Sequence, residues 1–99
     1  MASFKGKTAI VSGAALGMGN LVSRRLAKAG ANVLLTDIDL ARVAATVREI
    51  RAAGGSAQAM RVDVREYEAV ERAARKAERV FGGVDLLLNF CGGAPTRVF

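Results

Sequence analysis

Between Thr8 and Asn20 the chain passes from a strand's pattern, through three glycines, into a helix's pattern, and few folds permit that succession. Ala9, Ile10 and Val11 form an apolar run without alternation, the mark of a parallel strand covered on both faces. Gly13 follows at once. A chain that leaves a buried strand for a helix within a few residues needs backbone angles that a Cβ forbids. Gly17 stands at the mouth of the helix, where unpaired N–H groups and the positive end of the macrodipole favour an anion. A residue without a side chain lets a pyrophosphate approach them. Gly19, in the first helical turn, lets the helix pack closely on the strand. An ordinary glycine-containing turn would show the same residues, but the strand before and the helix after favour phosphate binding.

The rest of the chain repeats this alternation. A first helix is expected from about Met18 to Ala29, with Leu21, Val22, Leu26 and Ala29 on one face and Gly30 ending it. Val33, Leu34 and Leu35 make a second strand within Asn32–Asp37. Leu40, Val43, Ala44, Val47 and Ile50 make a second helix ending near Ala53. A third strand over Ala57–Val62, a third helix over Glu66–Phe81 and a fourth strand over Val84–Asn89 complete the series. In the third helix Val70, Ala73, Ala74, Ala77 and Phe81 are expected inward, with Glu68/Arg72 and Glu71/Arg75 pairs outside. The order βαβαβαβ implies an α/β fold, a partial three-layer, doubly wound parallel sheet with strand order 3-2-1-4 and right-handed crossovers. Ligands bind such sheets at the carboxyl ends of the strands, where Asp37, Asp63 and Asn89 fall.

Ninety-nine residues with 52% hydrophobic and 24% charged content suit one small soluble domain, without internal repeat, low-complexity segment or interdomain linker. The first residues carry Lys5 and Lys7 where a signal peptide needs its apolar core, and no run approaches the roughly 20 apolar residues of a membrane span. A cytoplasmic protein is expected. Cys91 is the only cysteine and histidine is absent, which excludes disulfide frameworks, His–Cys zinc sites and His-dependent triads. The net charge of +6 lies wholly within residues 1–62, on cations such as Arg24, Arg25, Lys28, Arg42, Arg48 and Arg51 set between apolar helix positions. Solvated helix faces account for it. No aromatic interleaving or reading module supports a nucleic-acid partner.

The spacing Ser12-Gly13-x-x-x-Gly17-x-Gly19 differs from the G-x-G-x-x-G turn, and no G-x-x-x-x-G-K-[ST] loop is present. It resembles the T-G-x-x-x-G-x-G loop of the short-chain dehydrogenases/reductases, with Ser12 keeping the hydroxyl of the threonine. Asn89-Phe90-Cys91-Gly92 resembles that family's N-N-A-G segment, with Phe90 replacing the second asparagine and Cys91 the alanine. The likeness runs from Lys7 to about Pro95 and implies a Rossmann-type NAD(H) site. Asp37, about twenty residues past the glycine loop, would accept from a ribose. It could instead cap the second helix, a task for which Asp39 is better placed. An acid at the ribose repels a 2′-phosphate, and Leu16 and Ile38 stand where NADP-binding members often place a cation. NAD is therefore preferred over NADP.

The resemblance further implies that Asp63 meets the adenine amino group while the backbone of Val64 reads the ring edge, although Asp63 could equally cap the third helix. Asn89 would line the cofactor ribose, and Gly92 would admit the cofactor beside the backbone. Cys91 reads as a small apolar residue in the same wall, and Met18 joins the implied set at the helix mouth. The family's chemistry relies on a Tyr-x-x-x-Lys pair with a preceding serine on later elements. Tyr67, the only tyrosine, is followed four residues on by Glu71, so no catalytic or metal-binding residue is assigned. The expectation is one truncated dinucleotide-binding domain over residues 1–99 that binds cofactor without turnover. A non-enzymatic nucleotide-binding or assembly module, or a basic nucleic-acid-binding domain, are the alternatives. The fourth strand, with Leu86, Leu87 and Leu88, would lack one neighbour, and such an edge invites self-association.

Overall fold

Four strands and three helices alternate in the computed structural model, which describes residues 3–91. They are β1 (Thr8–Ser12), α1 (Gly17–Lys28), β2 (Asn32–Asp37), α2 (Leu40–Ala52), β3 (Ser56–Arg61), α3 (Tyr67–Phe81) and β4 (Leu86–Asn89). The sheet is parallel in the order β3-β2-β1-β4, as expected from the alternation. Two crossovers run one way along the sheet and the third runs back past both, so a single handedness requires helices on opposite faces. The packing obeys this. Ala9, Val11, Val33 and Leu35 point toward residues of α1 and α2, while Ile10 and Leu34 point toward Ala69, Ala73 and Ala77 of α3. Successive residues of β1 and β2 thus enter different cores, which is why neither strand alternates in sequence. Leu34 and Leu35 are fully buried, each worth about 2–3 kcal/mol of apolar transfer.

The strand order switches direction between β1 and β4, so their connections leave on opposite faces and a crevice opens at the carboxyl ends of the strands. Ser12 is paired in register with Thr36 on one side and Asn89 on the other, so three candidate strand ends lie abreast there. Hydrogen bonds between Thr8 and Asp85 fasten the opposite end of β1 to the entry of β4. The Asp85 N–H donates to the Thr8 carbonyl and the Thr8 N–H to Asp85 Oδ2, both at 2.8 Å.

Several expected faces are corrected. Leu21 and Leu40 are exposed, because α1 buries Gly19, Ser23, Leu26 and Ala27, and α2 turns inward only from Val43. Ser23 reaches the core by donating to the Gly19 carbonyl at 2.7 Å, so its hydroxyl needs no water. On α3 only Ala69, Ala73 and Ala77 are buried, a narrow stripe at four-residue spacing that leaves Val70, Ala74 and Phe81 partly buried at its margin. Glu71 pairs with Arg75 at 3.5 Å, but Glu68 and Arg72 form no ion pair among the described residues. The cations of α1 and α2 are exposed, Arg24 pairing with Glu49 across the two helices and Arg42 with Asp39.

Candidate functional site

Each glycine of the turn meets a different neighbour. Gly13 has φ +74°, and a Cβ there would lie 2.8 Å from the Phe90 carbonyl carbon and 2.9 Å from the Cys91 nitrogen. The exit of β4 therefore closes directly over the turn. A Cβ on Gly19 would strike the Gly13 carbonyl oxygen, so the first turn of α1 rests on the backbone that leaves β1. Gly17, at φ +59°, would point its Cβ into open space. The residue expected to admit an anion is the one whose missing side chain leaves room. Leu16 provides no side-chain cap to α1, and the first helical turn holds no acidic residue. The N–H groups at that end are thus left for a partner and face no competing charge from their own turn.

Asp37 ends β2 beside this loop. Its Oδ2 accepts from the Ala15 N–H at 3.1 Å and its Oδ1 from the Asp39 N–H at 3.0 Å. A carboxylate has about four acceptor directions, so each oxygen retains one for a further donor. The capping role falls to Asp39, which accepts from the Arg42 N–H at 3.1 Å, and Asp37 is free of it. Gly13, Ala15, Leu16, Asp37, Asp39, Arg42, Phe90 and Cys91 line one open groove of about 360 Å³. Leu16, which lines it, and Met18 and Ile38, which adjoin its lining residues in sequence, are exposed, apolar and uncharged. Asn89 turns its Oδ1 back to the Cys91 N–H at 2.9 Å, bracing the segment that covers Gly13. Gly92 lies outside the described residues.

Asp63 does not cap α3, whose preceding residue is Glu66 and which has no side-chain cap. It is instead held by Arg65. The Arg65 N–H and Nε donate to Oδ1 at 3.0 Å each, and Nη2 donates to Oδ2 at 2.7 Å. The guanidinium, aided by the Arg65 N–H, lowers the Asp63 pKa from 3.8 to about 2. Val64, next to it, is half-buried against the α3 core. Burial pushes the Cys91 thiol up, reinforced by the charges of Asp37 and Asp63, so it is protonated near neutrality and packs as a small apolar group. No cluster of metal-ligating side chains occurs among the described residues.

Three polar residues that brace the site were not anticipated. Asn20 bonds the turn, Thr46 bonds Asn20, and Arg65 holds Asp63. For Thr46 a signal exists, since it falls in the apolar stripe Val43, Thr46, Val47, Ile50, where a hydroxyl must find a partner.

The match to known proteins agrees with this geometry. The family model described as short chain dehydrogenase matches residues 7–99. The 2,3-dihydro-2,3-dihydroxybenzoate dehydrogenase of Bacillus subtilis is 35% identical over 88 residues, covering 89% of this chain and 34% of that protein. A dehydrogenase/reductase from Sinorhizobium meliloti superposes with a TM-score of 0.87 at 46% identity, over 91% of this chain and 36% of that one. A short-chain dehydrogenase/reductase from Burkholderia phymatum in complex with NAD gives 0.83 at 37% identity, over 88% of this chain and 31% of that one. A metagenomic short-chain oxidoreductase in complex with NADP gives 0.80 at 36%, over 87% and 39%. The chain belongs to the short-chain dehydrogenases/reductases and carries the strand order of their nucleotide-binding sheet. It spans about a third of the length of these relatives.

Proposed function

We propose that residues 1–99 act as the NAD(H)-binding domain of a short-chain dehydrogenase/reductase, whose reaction moves hydride between the nicotinamide and a carbonyl or alcohol. The observation that carries this is Asp37, with one free acceptor direction on each carboxylate oxygen, beside a glycine turn whose Gly17 faces open space. In this reading the N–H groups at the start of α1 hold the pyrophosphate, with Ser12, Gly13, Leu16, Gly17, Met18 and Gly19 shaping that end. Asp37 takes the adenosine ribose hydroxyls. Ile38, Asp63, Val64 and Cys91 surround the adenine, and Asn89 and Gly92 line the path toward the second ribose. The cofactor supplies the hydride; this chain's residues bind and orient it.

Specificity for NAD over NADP follows from the Asp37 carboxylate, which repels a 2′-phosphate, and from the neutral Leu16 and Ile38. Arg42 is the one cation lining the same groove among the described residues and favours NADP, but its charge is matched by Asp39 at 3.1 Å. Calorimetric titration of the chain with NAD and with NADP tests the preference. NAD is expected to bind more tightly, and Asp37→Ala to weaken NAD about 10- to 100-fold, as loss of hydrogen bonds to a charged group implies. Equal or tighter NADP binding overturns it. No Tyr-x-x-x-Lys pair occurs in the 99 residues, so these residues alone are expected to bind without turning over a carbonyl or alcohol panel. The free thiol of Cys91 suits a reducing compartment, the basis for proposing a cytoplasmic setting. Isolated chains are proposed to self-associate through the side of β4 that pairs with no strand among the described residues.

A further inference from the structure

The Ala14–Ala15 peptide is held at both of its polar atoms. Its oxygen accepts from Asn20 Nδ2 at 3.1 Å, and its N–H donates to Asp37 Oδ2 at 3.1 Å. One residue earlier the Ala14 N–H donates to the Thr36 carbonyl at 3.1 Å. Asn20 is engaged at both amide hydrogens and at its oxygen. The second hydrogen of Nδ2 goes to Thr46 Oγ1 at 3.0 Å, and Oδ1 accepts from Arg24 Nε at 2.8 Å. The partners fix the amide's orientation, because the Ala14 carbonyl can only accept and the guanidinium can only donate. Thr46 in turn donates to the Arg42 carbonyl at 3.2 Å, anchoring the chain of bonds in α2.

A planar peptide pinned at both its oxygen and its nitrogen cannot turn about the line joining its Cα atoms. Its plane sets the direction in which the chain enters α1, and so the aim of the N–H groups that open the helix. We propose that Asn20 is a positioning residue for the anion-binding turn, fixing the Ala14–Ala15 peptide against α2 so that those N–H groups are aligned before a ligand arrives. The inference rests on the dinucleotide reading of the site. It assigns Asn20 no contact with the cofactor.

The test uses Asn20→Ala, with Thr46→Val as a second variant that removes the hydroxyl linking Asn20 to α2 and leaves the Asn20 bond to the Ala14 carbonyl in place. Two measurements are made, amide hydrogen exchange of Ala15 and calorimetric binding of ADP against adenosine. In both variants Ala15 should exchange faster relative to the core amides of Leu34 and Leu35. ADP should weaken about tenfold in Asn20→Ala, the scale of one misaligned hydrogen bond, while adenosine stays within about twofold. Exchange at Ala15 that merely follows the core amides overturns the proposal, as does equal weakening of ADP and adenosine. If the parent chain binds neither ligand, the dinucleotide reading falls, and the exchange measurement still decides whether Asn20 holds the turn.

Discussion

Gly17 and Gly19 lie two residues apart and constrain the chain in opposite ways. A Cβ on Gly19 meets the Gly13 carbonyl, whereas one on Gly17 meets nothing but pays for a left-handed backbone at φ +59°. Gly19→Ala should therefore cost about 1–3 kcal/mol through overpacking, and Gly17→Ala about 1 kcal/mol through backbone strain. In urea denaturation Gly19→Ala is expected to have the lower midpoint, while Gly17→Ala gives the greater loss of NAD affinity per unit of stability lost. The positions of the two glycines, at the helix mouth and inside the first turn, already suggested that Gly17 leaves room while Gly19 packs closely, and the Cβ contacts agree with that division. Asp63 poses a similar question of partners. Its pKa is depressed to about 2, so its contribution to stability is complete above the ordinary value of 3.8 and is lost as pH falls toward 2. Arg65→Gln should raise the Asp63 pKa toward 3.8 and shrink that acid loss, because the contribution exists only while the folded pKa lies below the unfolded one; a ¹³C carboxyl titration reads the shift. An unmoved pKa would remove Arg65 as the cause.

At the scale of elements, α2 shows how two neighbouring acids divide their work. Asp39 accepts from the Arg42 N–H and caps the helix, while Asp37 bonds the glycine turn. Asp39→Ala should cost about 1 kcal/mol of stability, the usual worth of such a cap, and leave NAD affinity nearly unchanged. Asp37→Ala should show the larger loss in affinity. A matched loss of affinity in Asp39→Ala would mean that the cap also shapes the groove. The division was legible from position, because Asp39 stands directly before Leu40 and Asp37 ends a strand. Strand order was legible too, from the βαβαβαβ alternation and right-handed crossovers, and unalternated runs such as Val33–Leu35 announced cover on both faces. Helix faces were less so. Leu21 and Leu40 fit an apolar spacing yet stay exposed, and Ser23 and Thr46 are buried because backbone carbonyls four residues back satisfy their hydroxyls. Apolar periodicity registers side-chain character, whereas these positions were decided by local hydrogen bonding.

For the molecule as a whole, the two halves of the sheet are unequally covered. The β1–β2 half has α1 and α2 on one side and α3 on the other, whereas β4 pairs only with β1 among the described residues. Val84 and Leu87 are more than a third exposed and border a cavity of about 140 Å³ shared with Val70, Ala73 and Ala74 of α3. A strand edge that no other strand covers among the described residues, set beside apolar surface, offers backbone groups and area to bury, the combination that favours strand addition between copies. The net charge of +6 opposes association at low salt, so added salt should strengthen it by screening. Light scattering of the 99-residue chain is expected to show mass rising with concentration, more steeply at high salt. Leu87→Lys places a cation in the partly exposed apolar border, and should shift the distribution toward monomer without lowering the folded content seen by circular dichroism. A parent chain that stays monomeric at high concentration and high salt would show that β4 is not an associating edge.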